Sequence, residues 1–190
     1  IHSCTKYLNG HSDIVAGCVI GNQSRVEKVV HKLNHLGGCL DPHACFLLHR
    51  GMKTLALRVR QQNQNALELA RFLDVHPAVE QVNYPGLESH PQYGRARRLF
   101  QGCGGVLSFE VKGDVAVADQ VISRLKLPIV APSLGGVESL VTRPATTSHS
   151  GLTPEERESA GISERLIRVA VGIEAPDDLC ADFGRALEGV

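Results

Sequence analysis

The chain has 190 residues, 43% of them hydrophobic, and its 20 Lys and Arg balance its 20 Asp and Glu. That balance removes a general electrostatic drive toward nucleic acid or an anionic membrane, and no apolar run approaches the ~18 residues of a membrane-crossing helix. The six cysteines (Cys4, Cys18, Cys39, Cys45, Cys103 and Cys180) form no C-x-x-C pair and no zinc spacing, so they read as reduced thiols, many of them buried, in a reducing compartment.

The chain opens IHSCTKYLNGHSD, which crowds hydroxyls, imidazoles and a carboxylate around Lys6. IVAGCVIG (14–21) follows as a short apolar run closed by Gly21 and Asn22, the pattern of a buried strand. SRVEKVVHKLNHLG then places Val26, Val29, Val30, Leu33 and Leu36 on one helical face, with Ser24 as N-cap and Gly37 as stop. Asp41-Pro42 opens the next helix with Pro42 near N1. The helical pattern breaks at Arg50-Gly51 and runs on to His76-Pro77.

Beyond this point the texture changes. VEQVNYPG reads as a strand into a turn, and HPQYGRARRLFQG as a basic helix. GGVLSFEV alternates as a half-buried strand does, with Leu107, Phe109 and Val111 on one face. VAVADQVISRL is an amphipathic helix and LIRVAVGIE a strand. APDDLCADFGRALEGV closes as a helix, with Pro176 at its entry and Asp177 and Asp178 at its positive end. These elements define a compact α+β domain over residues 64–190. Residues 1–63 are too few and too rich in loops to carry a separate core, and read as the remainder of a larger domain with its connecting helix.

A lysine in such a setting can be a solvated charge, a phosphate clamp or an amine that forms a Schiff base. Ser3 and Thr5 flank Lys6 with hydroxyls, and Gly10 allows close backbone approach. An amine beside hydroxyls on one tight loop suits a cofactor bearing both an aldehyde and a phosphate. His31, His35, His43 and His49 recur near helical spacing, but no acidic ligands accompany them at metal-binding distances in sequence. GCGG (102–105) reads as a tight strand entry rather than a dinucleotide loop.

The string HSCTKYLNGHSDIVAG resembles the signature of the cystathionine γ-synthase-like family, pyridoxal-phosphate enzymes of Cys/Met metabolism, whose pattern is close to HS-x-TKY-x-x-GHSD. LGGCLDPHACFLLHRGMKTLALRVRQQNQNALELARFL, NYPGLESHPQY, GCGGVLSFEV, APSLGGVESLVTRPATTSHS and GISERLIRVAVGIEAPDDL follow in the family's order and spacing. The resemblance covers essentially the whole chain. It implies an α/β fold: the C-terminal part of a large domain of fold type I (aspartate aminotransferase-like), then a small α+β domain. It implies that Lys6 holds pyridoxal 5'-phosphate and moves protons as acid and base, with Ser3 and Thr5 on the phosphate. Arg168 would clamp the substrate α-carboxylate, with Ser133 beside it. Glu138 and Arg143 also match family positions, and structural pairing is the expectation for both.

The resemblance further implies small amino-acid substrates, a homo-oligomer built as a dimer of dimers, and neither nucleic acid nor membrane as partner. The APS form at 131–133, where Pro132 stands in place of a frequent Glu, is most similar to plant-type synthases. The expected reaction is therefore formation of cystathionine from cysteine and an O-activated homoserine. Cystathionine γ-lyase, methionine γ-lyase and O-acetylhomoserine sulfhydrylase are the alternatives, and an inactive oligomerising remnant is the non-enzyme alternative. A family member of this length corresponds to the C-terminal half of such an enzyme, expected to be inactive alone. The expected location is the cytoplasm, or the plastid for a plant-type enzyme.

Overall fold

Local signals set most of the element boundaries, and the structure, a computed structural model, describes residues 1–190. The chain divides into two compact units, Ile1–Leu57 and Arg58–Val190. No helix is long and apolar enough to cross a membrane.

In the first unit, β1 (His2–Ser3) pairs antiparallel with β2 (Gly17–Cys18), and the tight turn Cys4–Leu8 leaves the end of β1. The apolar run 14–21 is not the buried strand its composition suggests. Only two of its residues pair, and Val15, Val19 and Ile20 are exposed, because β2 has β1 as its single strand neighbour. Helix α1 (Gln23–Leu36) is capped by the Asn22 side chain, which accepts from the Arg25 amide at 3.1 Å. The cap thus falls two residues before Ser24. Gly37 ends the helix as expected, at φ 82°. The predicted apolar face of α1 exists, but Val29, Val30, Leu33 and Leu36 are exposed.

Helix α2 (Pro42–Met52) starts as its sequence dictates. Pro42 sits in the first turn, and Asp41 accepts from the His43 and Ala44 amides, both at 3.0 Å. The break before α3 (Leu55–Asp74) falls at residues 53–54, after Gly51 rather than at it.

The second unit is a five-stranded sheet in the order β3 (Val79–Asn83), β4 (Val106–Val111), β7 (Leu166–Ala170), β6 (Leu140–Thr142), β5 (Ile129–Val130). All neighbours run antiparallel except β5 and β6. Alternation gives β4 one apolar face, and Leu107, Phe109 and Val111 are buried together with Val82, Val141, Ile167 and Val169. The core also takes in Leu69 and Leu73 of α3, Ala118 and Val121 of α5 (Val115–Arg124), and Leu179 and Phe183 of α7 (Pro176–Ala186). Phe109 and Phe183 meet edge to face at 6.1 Å, a geometry favoured by the ring quadrupoles. Two short helices lie outside this core, α4 (Tyr93–Leu99) and α6 (Pro154–Ser159), the latter closed by a Thr153–Glu156 capping box.

All six cysteines are free, and Cys4 alone is buried; Cys39 and Cys45 are exposed. The expectation of many buried thiols therefore fails. Cys39 and Cys45 belong to the loop before α2 and to its outer surface, where no second layer covers them.

Candidate active site

The site begins on the loop that joins β1 to β2. Thr5 folds this loop onto the second strand. Its Oγ1 accepts from the Ala16 amide at 3.0 Å, while the Thr5 and Cys4 amides donate to the Ala16 carbonyl at 3.2 and 2.8 Å. Thr5 Oγ1 also lies 3.3 Å from that carbonyl, which is long for an O–H···O bond. The hydroxyl thus accepts from the amide and donates a long bond to the carbonyl of the same residue, Ala16. Ser3 is exposed, and its side chain makes no cap bond.

Lys6 sits at the kink of the turn, at φ −95°, ψ −132°, where the helical path breaks. Beyond it the chain is cross-braced. The Gly10 amide donates to the Lys6 carbonyl at 2.8 Å, Asn9 Nδ2 donates to Asp13 Oδ1 at 2.6 Å, and His11 Nδ1 lies 2.7 Å from the Asn9 carbonyl. Cys4 is buried beneath the loop, and burial, followed by the Cys18 thiol beside it, pushes its pKa up to about 11. Helix α2 backs onto the loop at Gly51, where a Cβ would stand 2.3 Å from the Asn9 carbonyl oxygen. The polar crowd around Lys6 is thus an ordered, braced loop.

The second group lies on the sheet. Arg168 occupies the middle of β7, opposite Ser108 on β4 and Thr142 on β6. Ile167 and Val169 point into the core on either side of it. Its Nη2 donates to the carbonyls of Pro132 and Ser133 at 2.9 and 3.0 Å, and Nε is out of solvent without a partner. No carboxylate pairs with it. Burial lowers the guanidinium pKa from its usual value, yet the group stays charged in the ordinary range. A charged fork tied only to carbonyls keeps its affinity for an incoming anion. Ser133 belongs to the same locus through its carbonyl.

The structure thus brings together Lys6, Ser3 and Thr5 on one loop, and Ser133 with Arg168 at the sheet. Arg143 is a structural residue, as expected: it pairs with Asp119 at 2.8 Å and donates to the Glu164 carbonyl at 2.7 Å.

Sequence reasoning missed the support for the second group. Gln62 and Asn65 on α3 are fully buried. Gln62 Nε2 donates to the Gly136 carbonyl at 2.6 Å, and Asn65 Nδ2 donates to the carbonyls of Gly172 and Glu174 at 3.1 and 2.8 Å. Glu174 in turn accepts from the Ser139 amide at 2.6 Å and from its hydroxyl at 2.9 Å. These bonds fasten the 136–139 and 172–174 loops to each other and to α3. The signal was the carboxamide run QQNQN inside a helix, which reads as a solvent face unless its partners are known.

The first unit thus holds a braced lysine loop, and the sheet of the second holds an arginine bonded to carbonyls and to no carboxylate. The family model for Cys/Met metabolism PLP-dependent enzymes matches residues 1–188, and the chain belongs to that family. It is 46% identical to the chloroplastic cystathionine gamma-synthase 1 of Arabidopsis thaliana, over all of this chain and 34% of that protein. It is 47% identical to an L-methionine gamma-lyase of Pseudomonas putida, over 99% of this chain and 48% of that one. Among solved structures, the cystathionine gamma synthase of Xanthomonas oryzae pv. oryzae in complex with cystathionine superposes with a TM-score of 0.93 at 42% identity, over 98% of this chain and 48% of that chain. The chain therefore spans about a third to a half of the length of these relatives. The family's cofactor is pyridoxal phosphate, and the donor set on the loop fits it: an amine at Lys6, an exposed hydroxyl at Ser3, and a Thr5 hydroxyl whose proton is held only by a long 3.3 Å bond to the Ala16 carbonyl.

Proposed function

We propose that the full-length enzyme to which this chain corresponds forms cystathionine by γ-replacement, joining cysteine to an O-activated homoserine. Pyridoxal phosphate supplies an electron sink for charge that develops at the substrate Cα and Cβ. Lys6 Nζ holds the cofactor and moves protons at those two carbons. Ser3 and Thr5 donate to the phosphate. Arg168 takes the α-carboxylate through its planar fork, which a lysine would not reproduce, and Ser133 flanks that carboxylate. Residues 1–63 complete the cofactor domain and residues 64–190 form the C-terminal domain. The working unit is a dimer of dimers, placed in the cytoplasm or, for a plant-type enzyme, the plastid.

The observation that carries this reading is the Arg168 guanidinium, held in the central strand by two carbonyls and by no carboxylate. The synthase branch is supported by the similarity to chloroplastic synthases over the entire chain and by Pro132 before Ser133, which leaves no acid at that position. The second reading, γ-elimination, draws on the comparable identity to methionine γ-lyases. The assay gives the full-length enzyme cysteine with an O-activated homoserine, then cystathionine and methionine separately. Cystathionine formation exceeding α-keto acid release supports the synthase, and the reverse establishes a lyase. Residues 1–190 alone are expected to show no turnover.

A further inference from the structure

Gln62 does not look like a residue kept for stability. It is fully buried, and its Nε2 reaches the Gly136 carbonyl at 2.6 Å. Its Oε1 is equally buried and has no partner. Reversing the amide would set two oxygens face to face at Gly136, so the orphaned oxygen is inherent to the position. A buried acceptor left without a donor costs at least as much as one neutral hydrogen bond returns. An apolar side chain of the same length would remove that orphan and leave the Gly136 carbonyl as the unbonded acceptor in its place, so the amide adds little net stability.

What Gln62 holds supplies another reason for its presence. Gly136 lies on the loop of residues 131–139 that joins β5 to β6, and on the same loop the carbonyls of Pro132 and Ser133 accept both bonds from Arg168 Nη2. The far side of this locus is fixed separately. Asn65 binds the Gly172 and Glu174 carbonyls, the Ile173 amide donates to the Val137 carbonyl at 2.9 Å, and the Gly172 amide donates to Ser139 Oγ at 2.8 Å. At Gly172 the two loops touch so closely that a Cβ would lie 2.2 Å from the Val137 carbonyl oxygen. A continuous path therefore runs from Gln62 to Gly136, along the backbone to Ser133 and Pro132, and from their carbonyls to the guanidinium plane of Arg168.

We infer that Gln62 is a positioning residue for carboxylate recognition: by fixing the Pro132–Gly136 loop it sets the plane of the Arg168 guanidinium. This rests on the reading of Arg168 as the α-carboxylate clamp. The role is indirect, because Gln62 acts through the loop and touches neither substrate nor cofactor.

The test uses Gln62→Met, Arg168→Lys and the double variant in the full-length holoenzyme. Methionine keeps the length of glutamine and removes both the amide bond and the orphaned oxygen. Gln62→Met exchanges the orphaned Oε1 for an unbonded Gly136 carbonyl, so it is expected to shift the urea midpoint of unfolding little and to keep the cofactor absorbance. It should raise KM for the O-activated homoserine about tenfold, the binding free energy of one ordinary hydrogen bond, with kcat little changed. In the Arg168→Lys background, Gln62→Met should raise KM no further, because its effect passes through the arginine. A lowered midpoint with unchanged KM, or equal KM effects in both backgrounds, makes Gln62 merely structural and overturns the inference. Failure of both Gln62→Met and Gln62→Leu to fold overturns it as well. If Arg168→Lys itself leaves KM unchanged, the carboxylate-clamp reading fails instead.

Discussion

Gly51→Ala is the sharpest perturbation of the lysine loop, because it adds one carbon on the helix behind it. The ideal Cβ falls 2.3 Å from the Asn9 carbonyl oxygen, 3.0 Å from its carbon and 3.2 Å from its Cα. All three are backbone atoms, so no side chain can rotate aside, and either α2 or the loop must move by about 1 Å to restore van der Waals contact. Overpacking of this kind costs about 1–3 kcal/mol, and a backbone clash this close belongs at the upper end. Alanine returns about 1 kcal/mol of helix propensity, leaving a net loss of about 2 kcal/mol. The functional cost is larger, since a shift of about 1 Å at a reacting group lowers rates on the order of a hundredfold. Gly94→Ala is the control. It lies within α4 with nothing inside 4 Å of the added carbon, so it should be neutral or stabilising by up to ~1 kcal/mol. Urea unfolding and steady-state kinetics of the full-length enzyme report the two effects. If Gly51→Ala keeps both its unfolding midpoint and kcat within twofold of the parent, the claim that α2 braces the lysine loop is wrong.

Two pH-linked effects follow from other buried groups. Asp182 accepts from the Lys126 and Leu127 amides at 2.8 and 2.9 Å and pairs with Arg185. Burial pushes its pKa up, but these partners outweigh that and hold it below the usual value. Its stabilisation is therefore present above the unfolded carboxylate value and lost as pH falls through the folded one. Asp182→Asn should cost about 2 kcal/mol at pH 7 by urea unfolding, and this deficit should shrink in acid; a constant deficit would refute the assignment. Cys4 behaves oppositely. Its thiol, held at about 11 against 9.0, stabilises the fold fully below the unfolded value, and that contribution is lost as pH rises through the folded one. Relative to Cys4→Ala, the parent should lose on the order of 2 kcal/mol between those values, and parallel pH profiles would show that Cys4 is not buried as described.

The elements most legible in the sequence were those whose periodicity is enforced by a single buried face. β4 alternates cleanly, α7 carries Pro176 and two acids at its entry, and both appear where predicted. β6 went unread because its three residues, Leu140–Thr142, are all buried and so do not alternate; burial on both faces erases the period of two. The apolar run 14–21 misled for the opposite reason, since composition records a tendency to be covered but not what covers it. In the candidate site, Lys6, Ser3, Thr5, Ser133 and Arg168 were visible as motif residues. Gln62 and Asn65 were not, because their partners lie 74 and 107 residues away. Only the closure of the sheet over α3 turns a polar stretch of helix into a buried clamp.

The central claim is that Lys6 carries the cofactor, and trapping the bound cofactor tests it most directly. The full-length holoenzyme is reduced with borohydride, digested, and mapped by mass spectrometry. The account predicts the reduced pyridoxyl-phosphate mass on the peptide containing Lys6, absent in Lys6→Ala. A cofactor adduct on a different lysine, or a holoenzyme whose cofactor is not attached at Lys6, would contradict it.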